Sequence, residues 1–106
     1  MGHRDILPIM DTRFVLQGIT FVWDEDKAVA NLRKHGIAFQ QAAEAFFDPF
    51  LKLVDASREE EARDAIIGMD MRWHLLFVVH IELEAEAIRI ISARKATRRE
   101  RATYEA

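Results

Sequence analysis

The sequence predicts an α+β domain with two N-terminal helices, a four-stranded antiparallel sheet and a C-terminal helix. Three observations indicate this fold class. Two adjacent segments are predicted helices: 24–36 has helix-starting and helix-ending residues, and 38–47 has apolar residues at helical spacing. Four strand-like segments with short connections follow, which is typical of an antiparallel meander. A capping-box pattern near the end of the chain then predicts the last helix.

The first helix is predicted over residues 24–36. Asp24 is a good N-cap residue, and two acidic residues follow it where the helix dipole favours negative charge. Lys34 and His35 occupy the last turn, where cations are favoured. Gly36 supplies the residue that can take the left-handed conformation after the helix.

A short strand at 20–23 precedes this helix, and a second helix follows it at about 38–47. The strand consists of Thr, Phe, Val and Trp, which all favour extended structure. The second helix has a single apolar stripe and stops at Asp48-Pro49, because the residue before a proline is disfavoured in the α region.

The second half of the chain is predicted to form the sheet and the last helix. Acidic or turn-like pieces separate the strand-like segments, which are 50–56, 63–69, 72–81 and 86–93. Thr97 is followed three residues later by Glu100, so the last helix is expected over 97–105.

The length and composition indicate one domain. At 106 residues the chain holds a single core, expected over 19–106 after a loosely ordered leader at 1–18. The chain contains no cysteine, which excludes disulfides and cysteine-based metal sites and is compatible with the cytoplasm. The longest apolar runs are much shorter than a membrane span.

The net charge of −3 hides an uneven distribution. Residues 55–64 hold five acids against two arginines, whereas residues 89–101 hold six basic residues and one glutamate. An acidic total argues against indiscriminate binding of polyanions, but it leaves a local phosphate site open.

Histidines and serines give few candidates for chemistry. Lys34 and His35 have a structural explanation at a helix end, and the same place makes His35 available as a proton donor. His74 and His80 lie on a different predicted element from His35, so the sequence predicts no metal site. Ser57 and Ser92 have no base near them in sequence, which argues against a serine nucleophile.

Arginines on predicted strands are stronger candidates. Arg63 and Arg72 begin two strands, and Arg89 lies inside an apolar one, where it needs a carboxylate partner or a solvent-facing groove. Strand alternation predicts that Arg89 and Arg94 point to opposite faces. Exposed surface arginines are the alternative, whereas a converging cluster could stabilise a pentacovalent phosphorus.

Two long segments resemble the BrnT family of type II toxins: "FVWDEDKAVANLRKHGIAFQQAAEAFFDP" and "IRIISARKATRRERATYE". The resemblance covers residues 21–105. It implies a RelE-like fold and a metal-independent endoribonuclease, without a cofactor, that blocks translation by cutting RNA. It also implies neutralisation by a BrnA antitoxin, whose ribbon-helix-helix part binds operator DNA.

The resemblance also assigns site residues. It implies charge stabilisation by Arg63, Arg72 and Arg94, and proton transfer by Lys34 or His35, during attack of the RNA 2′-hydroxyl on phosphorus. Further contacts with RNA are implied for three residues of the last helix: Arg98, Arg101 and Tyr104. The two arginines could instead form ion pairs along the helix, as Arg101 would with Glu105.

One departure from the family pattern is the acidic segment "HIELEAEA" at 80–87, whose negative charge could repel RNA. It motivates an alternative function, in which the chain is a non-catalytic module that binds an antitoxin and acts as a co-repressor.

Overall fold

The computed structural model describes residues 11–57 and 62–106, and in these residues six strands and three helices form a mixed α+β fold. In chain order the elements are β1 (Asp11–Leu16), β2 (Ile19–Asp24), α1 (Glu25–His35), α2 (Phe39–Glu44), β3 (Lys52–Asp55), β4 (Asp64–Met69), β5 (Leu75–Leu83), β6 (Ala87–Lys95) and α3 (Arg98–Glu105). Short 3-10 turns follow α2 at Ala45–Phe47 and β5 at Glu84–Glu86. No helix in the described ranges is long and apolar enough to cross a membrane.

The sheet has the strand order β1-β2-β6-β5-β4-β3. All neighbours are antiparallel except β2 and β6, which are parallel. The α+β class is confirmed, but the prediction of a four-stranded antiparallel sheet is wrong. The predicted strand at 20–23 belongs to the same sheet, because Phe21 pairs with Ile88, more than sixty residues later in the chain. No local pattern in the sequence indicates this pairing.

Strand β1 lies in the segment that was expected to be a loosely ordered leader, 1–18. Gln17 and Gly18 both have positive φ, 51° and 83°, as a two-residue hairpin turn requires. The turn folds β1 back onto β2, and the Phe14 ring packs 5.9 Å from that of Trp23. The structure therefore corrects the leader expectation for residues 11–18, whereas 1–10 lie outside the described residues.

The predicted ends of the first helix are confirmed. The Asp24 side chain accepts a hydrogen bond from the backbone N–H of Asp26 at 2.8 Å. Gly36 has a φ of 72°, and its N–H donates to the carbonyl oxygen of Leu32 at 2.8 Å. These caps satisfy backbone groups that the helix itself leaves unpaired.

The core lies between one face of the sheet and helices α1 and α2. Trp23 of β2 meets Phe39 of α2 edge-on, with ring centroids 5.7 Å apart, and both side chains are buried. Gly68 of β4 passes close beneath the 3-10 turn, because an added Cβ would lie 2.6 Å from the Ala45 carbonyl oxygen.

Helix α3 lies on the opposite face of the sheet. Lys52 Nζ, which points to that face, donates to the carbonyl oxygens of Thr103 at 3.1 Å and Ala106 at 3.0 Å. Lys52 belongs to a row of cross-strand partners that runs from β3 to β6 and consists of Lys52, Ile67, Phe77 and Arg94. The face opposite α1 and α2 is therefore only partly covered.

A β-bulge in β6 places two arginines on this second face. The register between β5 and β6 shifts so that Ile91 is an extra residue. Arg89 and Arg94 consequently pair with Ile81 and Phe77, which alternation puts on one face of β5. The prediction that the two arginines point to opposite faces is wrong, because it assumed unbroken alternation.

Candidate functional site

A groove of about 470 Å³ lies on the sheet face opposite α1 and α2. Arg63 and Arg94, two of the residues predicted for catalysis, both line this sheet-face groove. Apolar side chains and two serine hydroxyls complete its wall, which consists of Ala56, Ser57, Arg63, Phe77, Val79, Ile91, Ser92 and Arg94. Guanidinium groups and hydroxyls over an apolar floor can bind a sugar–phosphate chain.

Arg94 is held in a defined position in this groove. Its Nη1 and Nη2 donate to the two carboxylate oxygens of Glu100 at 2.8 Å and 2.9 Å, and Nη1 also donates to the carbonyl oxygen of Lys95 at 3.2 Å. The guanidinium carbon lies 4.4 Å from the centre of the Phe77 ring, a cation–π contact. Three of the five guanidinium N–H groups are thus used, which leaves two for a ligand.

The carboxylate that holds Arg94 also caps α3. Glu100 accepts the backbone N–H of Thr97 at 2.8 Å, and the Thr97 hydroxyl accepts the N–H of Glu100 at 3.1 Å. The hydrogen bond from Arg94 lowers the pKa of Glu100, and the reciprocal bond raises the pKa of Arg94. The residue that completes the capping box of α3 therefore also holds the Arg94 guanidinium in place in the groove.

Arg63 enters the groove from the start of β4. Its backbone N–H donates to the Ser57 hydroxyl at 3.2 Å, and that hydroxyl donates to the Arg63 carbonyl oxygen at 3.2 Å. Ser57 and Ser92, which have no base near them in sequence, line the same groove. Among its described lining residues there is no histidine, so the serines suit phosphate binding better than nucleophilic attack.

A second cavity, of about 500 Å³, lies where α1 and β6 end. We call it the helix-end pocket, and Arg72 lies here rather than in the sheet-face groove. Its wall consists of Gly36, Ile37, Ala38, Gln40, Gln41, Glu44, Asp70, Arg72, His74 and Lys95. Lys34 and His35 line neither cavity, but they precede Gly36, which belongs to the wall of the helix-end pocket. The five predicted catalytic residues therefore fall into two groups.

The buried Asp70 organises the turn that carries Arg72. Its Oδ1 accepts the backbone N–H groups of Arg72 and His74, each at 2.8 Å. Its Oδ2 accepts Gln41 Nε2 at 2.8 Å and lies 2.9 Å from His74 Nδ1. Burial alone would raise the pKa of Asp70, but the hydrogen bonds, led by the His74 backbone N–H, outweigh it and lower this pKa.

A carboxylate held in its ionised form accepts hydrogen bonds only, so His74 must carry its proton on Nδ1. His74 Nε2 is then left for the helix-end pocket. Sequence reasoning missed this pair, for which the only signal is the four-residue spacing of Asp70 and His74 at a predicted strand start.

Tyr104 of α3 is engaged inside the protein. Its hydroxyl donates to Asp48 Oδ2 at 2.6 Å, and burial together with this bond raises the pKa of Tyr104 to about 12. Arg98 and Arg101 are exposed on the same helix, and Arg101 lies 3.8 Å from Glu105. The structure thus places two of the three predicted RNA contacts on the surface and the hydroxyl of the third in an internal hydrogen bond.

Asn31 joins the two sequence segments that carry the resemblance. Its amide nitrogen donates to the carbonyl oxygens of Ile37 at 3.0 Å and Ala93 at 2.9 Å. Its amide oxygen accepts the N–H of Ala93 at 3.1 Å. Asn31 is buried, so its role is to hold α1 against β6.

The acidic segment lies at the far end of the β5–β6 hairpin from Arg94. Glu82, Glu84 and Glu86 are exposed there. Glu82 is five residues along β5 from Phe77, the partner of Arg94, which corresponds to roughly 17 Å of strand. That separation exceeds the Debye length of about 8 Å at physiological salt, so repulsion near Arg94 is weak.

Arg89 lies nearer to that acidic end. It forms two hydrogen bonds with the Asp11 carboxylate, at 2.8 Å and 3.3 Å. This is the carboxylate partner that an arginine in an apolar strand was expected to need, and it comes from β1.

Comparison with known proteins identifies a family and a similar solved structure. The family described as "Ribonuclease toxin, BrnT, of type II toxin-antitoxin system" matches residues 23–100. The crystal structure of the Brucella abortus ribonuclease toxin BrnT aligns with a TM-score of 0.55 and 26% identity, over 72% of this chain and 94% of that chain. No curated protein matches the chain. The family match spans every residue that lines the sheet-face groove.

Proposed function

Because the chain belongs to the BrnT family of ribonuclease toxins of type II toxin–antitoxin systems, we propose that it is an endoribonuclease that cleaves RNA in the sheet-face groove. The observation that carries this proposal is the position of Arg63 and Arg94 in one groove on the sheet face away from α1 and α2. Catalysis is proposed to need no metal, since arginine cations can stabilise phosphate charge themselves.

In the proposed reaction, the RNA 2′-hydroxyl oxygen attacks the adjacent phosphorus. The bond from O2′ to phosphorus forms, and the bond from phosphorus to O5′ breaks. The 2′-hydroxyl loses a proton and the leaving 5′ oxygen gains one, so that a 2′,3′-cyclic phosphate remains. Negative charge grows on the non-bridging oxygens, where the two remaining N–H groups of Arg94 and the Arg63 guanidinium stabilise it.

Lys34 or His35 is proposed for proton transfer, and Arg72 for charge stabilisation, as the resemblance implies. Arg72 lines the helix-end pocket on the other side of the sheet, and Lys34 and His35, in the last turn of α1, precede Gly36 of its wall. Arg94 and Lys95 are consecutive on β6 and alternate between the two faces, so an RNA strand passing over this sheet end is proposed to contact both cavities. A direct role of Lys34, His35 or Arg72 in the reaction requires that the scissile phosphate come within hydrogen-bond reach of them there. Arg98 and Arg101 are proposed to contact its backbone from α3, whereas Tyr104 anchors that helix.

The same proposal includes the partners of the toxin. A type II system supplies an antitoxin, here proposed to be BrnA-type, with a ribbon-helix-helix part through which alone the complex binds operator DNA. The free toxin is proposed to have a RelE-like fold and to inhibit translation in the cytoplasm. The alternative, a non-catalytic co-repressor module, is favoured by the acidic net charge of −3.

Product analysis decides between these functions. Chain released from its antitoxin is incubated with end-labelled RNA, with excess EDTA and without it. We expect fragments that end in 2′,3′-cyclic phosphate in both cases, and no cleavage of 2′-O-methyl RNA of the same sequence.

Two variants complete this experiment. Arg63→Ala should lose cleavage, while Arg13→Ala, an exposed arginine on β1 outside the groove, should retain it. RNA that stays intact with the wild-type chain, while the antitoxin still binds, would favour the co-repressor module. Cleavage that EDTA abolishes would refute metal independence.

A further inference from the structure

Trp73 is the most unusual residue in the turn between β4 and β5. Its φ is 70°, in the left-handed region that bulky residues rarely adopt. It is also 81% exposed, so burial does not explain why an indole stands here. Glycine would fit this backbone without strain. A strained backbone that presents an exposed aromatic side chain is a feature associated with functional sites.

The turn holds Trp73 on a fixed frame. The N–H of Trp73 donates to the Asp70 carbonyl oxygen at 3.2 Å, and the N–H of Asp70 donates to the His74 carbonyl oxygen at 2.9 Å. The Asp70 side chain fixes Arg72 and His74 on either side through their backbone N–H groups. The same frame therefore holds the indole and its two chain neighbours, which line the adjoining pocket.

Two cavities of different character meet at this turn. The helix-end pocket contains Arg72, His74 and Lys95. Beside it lies an apolar slot of about 280 Å³, lined by Gln17, Glu44, Phe47, Asp48, Pro49, Met69, Asp70, Met71 and Trp73. Glu44 and Asp70 belong to both walls, so the two cavities adjoin.

We infer that this turn forms a nucleotide subsite for the RNA strand, outside the cleavage groove. A base stacks on Trp73 over the apolar slot, and the neighbouring phosphate lies in the helix-end pocket beside Arg72, His74 and Lys95. The inference rests on the proposed function, which makes RNA the substrate. An aromatic platform next to cations is the usual way in which proteins hold single-stranded RNA.

The carboxylates around the slot are compatible with a nucleotide. Asp70 and Asp48 already accept hydrogen bonds inside the protein, Asp48 from Tyr104 and from two backbone N–H groups. Glu44 Oε1 accepts the N–H of Met71 at 3.0 Å, which leaves Oε2 for the exocyclic amino group of a base. A peptide with an apolar anchor would fill the slot alone, whereas a nucleotide also uses the cations of the adjoining pocket.

Intrinsic tryptophan fluorescence tests the subsite directly. Trp23 is 1% exposed and gives a constant background, so a change on binding reports Trp73. The probe is a short 2′-O-methyl oligoribonucleotide, which cannot be cleaved because it lacks the attacking hydroxyl. We expect it to quench the wild-type emission. For the variants that lack the indole, the dissociation constant is measured by fluorescence anisotropy of the same oligonucleotide carrying an end label. It should rise about 5- to 150-fold in Trp73→Gly, the range for loss of one stacked base, and less in Trp73→Phe.

The stability of Trp73→Gly separates binding from folding. Relief of the left-handed strain should leave its unfolding midpoint equal to or above that of the wild type. Arg72→Ala and Lys95→Ala should each weaken binding and make it less dependent on salt, since each removes a phosphate contact. An unchanged dissociation constant in Trp73→Gly would overturn the subsite, as would a variant that loses affinity for the antitoxin alone.

The same set of variants distinguishes failure of the subsite from failure of the proposed function. Arg94→Ala should still quench with the oligonucleotide but should not cleave RNA. A wild-type chain that cleaves RNA, with a KM that Trp73→Gly does not change, refutes the subsite only. A wild-type chain that never cleaves RNA refutes the function on which the subsite rests.

Discussion

Replacing Glu100 by glutamine separates its two roles, because only one of them needs a negative charge. Glutamine at this helix position can still receive the N–H of Thr97 and so preserve the capping box. It loses the charged, two-oxygen partner of Arg94. A hydrogen bond to a charged group contributes roughly 1.5–3 kcal/mol, but the Arg94 side chain is 36% exposed, so solvent screening reduces the expected loss to about 1 kcal/mol.

Thr97→Ala is the matched control for this prediction. It removes the other half of the capping box, also at a cost of about 1 kcal/mol, and leaves Glu100 to hold Arg94. Urea unfolding should therefore show similar losses for both variants. The rate of RNA cleavage should differ between the two variants. In Glu100→Gln the Arg94 guanidinium is displaced, so cleavage is expected to be roughly 100-fold slower. In Thr97→Ala the rate should stay near that of the wild type. Equal cleavage rates in the two variants would refute the role of Glu100 in positioning Arg94.

The pH dependence of stability is a second test of the contact between Arg94 and Glu100. The hydrogen bond from Arg94 lowers the pKa of Glu100 below its ordinary value of 4.5. Its stabilisation is thus fully present above pH 4.5 and is lost as the pH falls through the folded-state pKa. The wild type should lose more stability than Glu100→Gln over that acidic range.

Three further predictions concern residues that hold different elements of the fold together. Gly68→Ala should cost about 1–3 kcal/mol, because the added Cβ would lie 2.6 Å from the Ala45 carbonyl oxygen; a stability equal to the wild type in thermal unfolding would contradict this close approach. Asn31→Ala should cost about 2–4 kcal/mol, since it removes three buried hydrogen bonds, and unchanged urea midpoints would show that water replaces them. Tyr104→Phe should cost about 1.5 kcal/mol near neutral pH through loss of the bond to Asp48. Because the pKa of Tyr104 is raised to about 12, that wild-type advantage should persist below pH 10 and disappear as the pH rises through about 12; an advantage that ends below pH 10 would refute the assignment.

Local signals were sufficient for the helices and for most of the strands. Asp24, Gly36 and Thr97 act within a few residues of themselves, so their caps can be predicted from the sequence alone. The segments 63–69 and 86–93 were predicted as strands for the same reason and contain β4 and most of β6. Local propensity and the observed structure agree in these elements.

Long-range pairing explains what the sequence did not reveal about the fold. The parallel contact of β2 with β6 joins residues more than sixty positions apart. The bulge at Ile91 leaves no signal in the alternation of β6, yet it decides which face Arg89 presents. Strand β1 has a local signal in the turn at Gln17-Gly18, which the prediction of a loosely ordered leader overlooks.

The candidate site could be predicted only in part for a similar reason. Arg63 and Arg94 were selected from the sequence and the structure places them in one groove, but Arg72 lies in another cavity. Tyr104 was assigned to RNA, whereas its hydroxyl bonds to Asp48, fifty-six residues earlier in the chain. Such contacts depend on how α3 packs against the sheet, which residue types and spacing do not encode.

The central claim is that Arg63 and Arg94 act together on the phosphate in the sheet-face groove. Single-turnover cleavage of one RNA by Arg63→Ala, Arg94→Ala, the double variant and Arg13→Ala tests it most directly. Each single groove variant is expected to lose at least about 100-fold in rate, the magnitude typical of one preorganised donor. The double variant should lose less than the product of the two single effects, and Arg13→Ala should match the wild type. Full activity in either single groove variant, with its fold intact, would contradict the account.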